Sequence, residues 1–254
     1  MASTANPAVP HPTAPVPAPV RKIKAGVAPL RAGEGMSFLL RRLHSLSGIV
    51  PIGAFLLEHF LSNAEAFKGV DAYNKQVAFL NSLPFVFLLE LFFIWIPILY
   101  HGIYGVYIWW NGETNVGDYP WMGNWLYTSQ RWTGMIAFAY IVQHTYHLRF
   151  TGVHLATHAE QSFAKVQGEF HNPWMVAFYA VGVIAASWHF SYGVWLFAAK
   201  WGITTGEKAR RRLGYLCLAL CLGLVSMGAA SMYGFLKTAP QQLDSNSSEN
   251  IVMR

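Results

Sequence analysis

Five apolar blocks dominate this chain, at roughly residues 37–62, 84–110, 128–150, 172–199 and 213–237. Each is long enough to cross a bilayer, which takes about 20 residues as an α-helix. The segments between them are too short to build a sizeable soluble domain. Composition agrees: 54% of the 254 residues are hydrophobic and 12% are charged, against about 25% charged in soluble domains. The expected fold is an all-α membrane protein with five transmembrane helices over residues 36–238. A Pro/Ala-rich arm at 1–35 and a polar tail at 239–254 flank it. Pro7, Pro10, Pro12, Pro15, Pro17 and Pro19 favour an extended arm, and the arm lacks the hydrophobic centre of a signal peptide.

The net charge of +6 is a topology signal and not a nucleic-acid one. Arg21, Lys22, Lys24, Arg31, Arg41 and Arg42 precede the first block, and Lys200, Lys208, Arg210, Arg211 and Arg212 lie between the fourth and fifth. With five spans both groups fall on one side, which the positive-inside rule makes cytoplasmic. The N-terminus is then inside, and the expected location is a bacterial cytoplasmic membrane. Cys217 and Cys221 stand one turn apart in the fifth block without further ligands, and read as small apolar residues. In the outer loop, Val70–Leu80 reads as a short surface helix. Pro97 is expected to kink the second span.

The chemistry-bearing pattern is an echo. His101-Gly-Ile-Tyr-Gly105-Val-Tyr107 recurs as His189-Phe-Ser-Tyr-Gly193-Val-Trp195. On a helix His, Tyr and Gly at i, i+3 and i+4 share one face, and the glycine is read as room for a flat cofactor beside the imidazole. Two more histidines, His59 and His144, lie inside the first and third blocks. A weak repeat relates the halves, since Ser47-Gly48 precedes His59 much as Thr133-Gly134 precedes His144. Ionisable groups inside a bilayer are candidates for function.

Depth sorts the four histidines. At about 1.5 Å per residue, His101 and His189 sit some 15 Å from the inner ends of their spans. His144 sits about 24 Å and His59 about 33 Å from theirs. Two layers follow, His101 with His189 inside and His59 with His144 outside. Two imidazoles at one depth in a four-helix bundle can hold one haem iron from both faces. No Cys-x-x-Cys-His attachment motif is present, so the expectation is two b-type haems held by four core helices, with a fifth helix alongside.

The run Arg41-Arg-Leu-His-Ser-Leu-Ser-Gly48, Glu58-His59, Ser82-Leu-Pro-Phe85, both echoes, Gln130-Arg131 and Trp201-Gly-Ile-Thr204 resemble the di-haem cytochrome b558 membrane-anchor family of succinate dehydrogenases and fumarate reductases. The resemblance spans about residues 36–237. It implies His101 and His189 on the inner haem iron, His59 and His144 on the outer, and flavoprotein and iron–sulfur partners docked on the cytoplasmic face. It also implies menaquinone as electron partner. One departure stands out: some relatives carry a glutamate for proton transfer two residues before the fourth-span histidine, where this chain has Ser187.

His44, judged to lie at the inner interface with no histidine partner in its layer, is expected with Arg42, Ser45 and Arg131 to bind the inner-haem propionates. Glu58, Glu90 and Asn81 are candidates for the quinone site near the outer haem; the two glutamates read either as groups for quinone proton chemistry or as hydrogen-bonded or snorkelling residues of the bundle. His147, His154, His158 and His171 read as outer-surface residues. Nothing here can oxidise succinate, because flavin and iron–sulfur motifs are missing. Two alternatives stand beside this reading: a di-haem anchor of another respiratory oxidoreductase of nitrate reductase or hydrogenase type, and a haem-free anchor. One histidine per helix argues against the former.

Overall fold

The computed structural model describes residues 32–243; most of the arm and most of the tail lie outside them. The described residues form helices and connecting turns without a strand, as expected where lipid cannot satisfy backbone groups. Helices α1 (Ala32–Ile49) and α2 (Pro51–Ala64) form one rod, extended by a 3-10 turn at Glu65–Lys68. The rod is interrupted at Val50 because Pro51 has no N–H to give the preceding turn. Helix α3 (Val70–Asn81) is the expected short surface helix.

The second rod runs through α4 (Val86–Leu89), a π-helical segment at Glu90–Trp95 and α5 (Ile96–Trp110). The expected irregularity near Pro97 is that π segment, where the ladder widens just before a residue that cannot donate to it. Helix α6 (Met122–Thr145) starts six residues before the third apolar block and ends in a second π segment, Tyr146–Phe150. A 3-10 turn and α7 (Ser162–Glu169) lead to α8 (Pro173–Lys200), capped by the Asn172 side chain accepting from the Trp174 amide at 3.0 Å. Helix α9 (Glu207–Lys237) closes the fold.

Among the described residues, four helical rods are long and apolar enough to cross a membrane: Gly35–Lys68, Val86–Trp110, Pro173–Lys200 and Glu207–Lys237. Helix α6 matches them in length but carries Asn124, Thr128, Gln130, Arg131 and Gln143, so by composition it is not among the four. It nevertheless belongs to the core. Helix α1 packs on α5 and α8, α5 on α6, and α6 on α8, which closes a ring of four; α9 lies outside it against α8 and α2.

The outer faces of the rods are apolar and open: Phe92, Phe93, Leu99, Ile103, Leu216 and Leu222 are exposed, as lipid-facing residues are. The most enclosed apolar cluster lies at one end of the bundle, where Phe163 of α7, Phe235 of α9, Tyr73 of α3 and Tyr179 of α8 meet. Helix α7 also closes two helix ends. Lys165 Nζ donates to the carbonyls of Leu148, Thr151 and Val153 at 2.9, 2.7 and 2.6 Å. Gln167 Nε2 donates to Phe235 and Thr238 carbonyls at 3.0 and 2.8 Å. Carbonyls left free by the second π segment, the bend after it and α9 thereby find donors.

Candidate functional site

The four span histidines meet in two pairs. His101 of α5 and His189 of α8 have ring centroids 6.1 Å apart with planes at 82°. His59 of α2 and His144 of α6 lie 5.8 Å apart at 83°. These are the pairs expected from depth, each drawing one ring from either half of the chain.

Hydrogen bonds set the ring tautomers. His101 Nδ1 lies 2.9 Å from the carbonyl of His44, and His189 Nδ1 lies 3.0 Å from the carbonyl of Gln130. A carbonyl only accepts, so each Nδ1 carries the proton and each Nε2 keeps its lone pair. Metal-binding histidines are fixed by such a second bond. His144 Nδ1 has the Tyr179 hydroxyl at 3.3 Å. An ion bonded on opposite sides to two imidazole nitrogens at about 2.0 Å spaces the ring centroids about 6 Å apart. Both pairs meet that spacing, so the donor sets suit a bis-imidazole metal group.

His44 is not where the sequence placed it. Its ring stacks on His101 with centroids 4.0 Å apart and planes at 11°, so the inner layer holds three imidazoles. The stacking puts His44 level with His101, so its layer does hold a histidine partner. Its Nδ1 is buried and has no hydrogen-bond partner among the described residues.

Each echo glycine faces a side chain of a neighbouring helix. A methyl group on Gly105 would meet His44 Cε1 at 3.3 Å, and one on Gly193 would meet Gln130 Nε2 at 3.5 Å. The first is a tight approach, whereas the second is an ordinary contact. His44 and Gln130 are thus counterparts in the two halves. Gln130 also donates through Nε2 to the His189 carbonyl at 2.9 Å, while its Oε1 is buried without a partner among the described residues. Sequence reasoning missed this role; the one clue was that Gln130 precedes Gly134 by four residues, as His44 precedes Gly48.

The other expected residues scatter. Arg131 donates to the Ile108, Trp109 and Gly112 carbonyls and to the Tyr127 hydroxyl, capping the end of α5. Arg42 donates to the Lys200 carbonyl at 2.6 Å and lies over the Phe38 and Trp201 rings. Ser45 is half-buried on α1. Glu90 pairs with Arg149 at 2.6 Å, which joins the two π segments. Glu58 accepts from Ser62, which accepts from Gln76 at 3.0 Å. Asn81 donates to the Leu155 carbonyl at 2.8 Å. None of these bonds links one of Glu58, Glu90 and Asn81 to another. A residue missed near the outer pair is Gln143, whose buried amide has no partner at either atom among the described residues. His147 pairs with Glu169 at 3.2 Å and His158 with Glu160 at 3.3 Å.

Paired imidazoles inside a membrane-length helical bundle define a multi-pass membrane protein of the b-cytochrome class. Comparison with known proteins narrows this. Residues 113–228 match the family described as succinate dehydrogenase/fumarate reductase transmembrane subunit. The succinate dehydrogenase cytochrome b558 subunit of Bacillus subtilis (strain 168) is 38% identical over 199 residues, covering 78% of this chain and 97% of that relative. The chain belongs to the succinate dehydrogenase/fumarate reductase transmembrane subunit family.

Proposed function

We propose that this chain is the membrane-anchor cytochrome b subunit of a succinate dehydrogenase. In this reading it holds a flavoprotein and an iron–sulfur protein at the cytoplasmic face and conducts electrons between them and menaquinone through two b-type haems. The observation that carries the reading is the pairing itself, with two imidazole pairs on four different helical rods at ring spacings of 6.1 and 5.8 Å.

His101 and His189 would hold the inner haem iron, and His59 and His144 the outer. Bound there, a b-type haem supplies a one-electron carrier whose potential depends on its axial ligands and their hydrogen bonds. The chain's own part is to orient and to exclude water. The His44 and Gln130 carbonyls keep the proton on Nδ1 of the inner rings, and the bundle shields the outer rings. His44, with its unpartnered Nδ1, is the best placed of the propionate candidates. Ser45 stands beside it, and Arg42 and Arg131 contribute positive charge at the same end. The second alternative, a haem-free anchor, leaves the imidazole pairs without a task.

The quinone site is proposed near the outer pair. Gln143, which follows from its unpartnered amide, joins Glu58, Glu90 and Asn81 as a candidate, because an amide can donate to a quinone oxygen or accept from a quinol hydroxyl. The five-span topology with the N-terminus and the basic segments inside is supported by the positive-inside rule.

The complex purified with its partner subunits should contain two b-type haems per copy of this chain. Succinate should reduce at least one of them, and a menaquinone analogue should reoxidise it. Absence of b-type absorption, or failure of the chain to co-purify with succinate-oxidising activity, refutes the proposal.

A further inference from the structure

Two glycines outside the echoes stand against the inner imidazoles. A methyl group built on Gly48 of α1 would collide with His101 Cε1 and lie 2.9 Å from its Nδ1. One built on Gly134 of α6 would lie 2.7 Å from His189 Cε1 and 3.0 Å from its Nδ1. Non-bonded heavy atoms rest about 3.5–4.0 Å apart, so either methyl would displace its ring by about an ångström. Each glycine follows by one turn the residue whose carbonyl accepts from the same ring: His44 before Gly48 for His101, and Gln130 before Gly134 for His189. One ring nitrogen is tied to the backbone, and the ring edge lies against bare backbone a turn later.

We infer that Gly48 and Gly134 are positioning residues, paired seats that fix the plane of each inner imidazole and so the electronic state of the metal group the pair holds. The inference rests on the proposed haem ligation. Close approach at a glycine is not special in this bundle. Gly102 is closed by the Phe138 ring and Gly182 by the Tyr140 ring. What distinguishes Gly48 and Gly134 is that the seated ring is a candidate ligand, on equivalent sides of both halves. The same repeat gives His44 and Gln130 equivalent places, so the seats are a property of the duplicated hairpin and not of one chance contact.

The test uses the full chain assembled with its partners in membranes. Gly48→Ala and Gly134→Ala should each shift or abolish the low-temperature EPR signal of the inner haem and change its midpoint potential, with the outer haem's signal unmoved. Gly223→Ala, where a methyl group meets nothing within 4 Å, should change neither. An unchanged inner signal in both seat variants, or equal changes in both haems, overturns the inference. Should the variants assemble poorly, the double variant decides. Gly48→Ala added to His101→Ala should cost no further assembled protein, since the ring it strikes is gone; an equal loss in both backgrounds makes the glycine a helix-packing residue and overturns the claim. Failure of the underlying ligation is read separately, as His101→Ala and His189→Ala removing different haems.

Discussion

His44 meets His101 twice: its imidazole stacks on that of His101 with centroids 4.0 Å apart, and its main-chain carbonyl accepts from His101 Nδ1 at 2.9 Å. One residue therefore supplies a flat neighbour through its side chain and a tautomer lock through its backbone. Only the first is open to substitution.

His44→Ala should accordingly keep two haems per chain, because the carbonyl and the axial pair remain. Loss of the stacked ring and of its unpartnered Nδ1 should move the inner midpoint by up to about 59 mV, a tenfold change in a one-electron equilibrium. A redox titration with a haem-to-protein ratio measures both. Loss of a haem would make His44 a ligand.

Lys165 ties down the end of the second π segment and the bend after it by donating to three carbonyls while its own side chain is enclosed. Lys165→Met leaves those carbonyls without that donor, and should destabilise the protein by about 1–3 kcal/mol. Unfolding in detergent checks this. A change within the scatter of the wild type would mean that water or lipid headgroups replace the ammonium at no loss.

Arg131 tests whether a cation can serve the helix end and a carboxylate at once. If capping α5 is its main task, Arg131→Gln should retain both haems and speed amide hydrogen exchange at residues 108–112. Loss of the inner haem with unchanged exchange would return Arg131 to the propionate role.

Much of this arrangement is readable in the chain before folding. Membrane-length apolar blocks dictate helices, and the depths of His59, His101, His144 and His189 within their blocks suggest the His101–His189 and His59–His144 pairs. Residues whose partners lie far along the chain are not readable. Hydropathy averages over a window, so it does not show that the His44 ring of α1 stacks on His101 of α5. Helix α7 lies in a stretch too polar to register, because Lys165 and Gln167 earn their burial by tying down the second π segment and capping α9. Arg131 next to Gln130 reads as a cation free to meet a propionate; its carbonyl partners lie about twenty residues upstream at the end of α5. The π segments leave no periodic signal.

Glu90 and Arg149 tie the two π segments together, with side chains 23% and 38% exposed. At that exposure the pair contributes no more than about 1 kcal/mol. Glu90→Gln and Arg149→Gln should each lower stability by that order, and the double variant should lose no more than one single variant does. Additive losses would mean that the two residues act independently.

The central claim is the assignment of four histidines to two metal centres, and single substitutions in the assembled complex test it most directly. Haem content and reduced-minus-oxidised spectra should show His101→Ala and His189→Ala each lacking the same haem, and His59→Ala and His144→Ala each lacking the other. Loss of different haems within either pair, or retention of both haems in any of the four variants, would contradict the account.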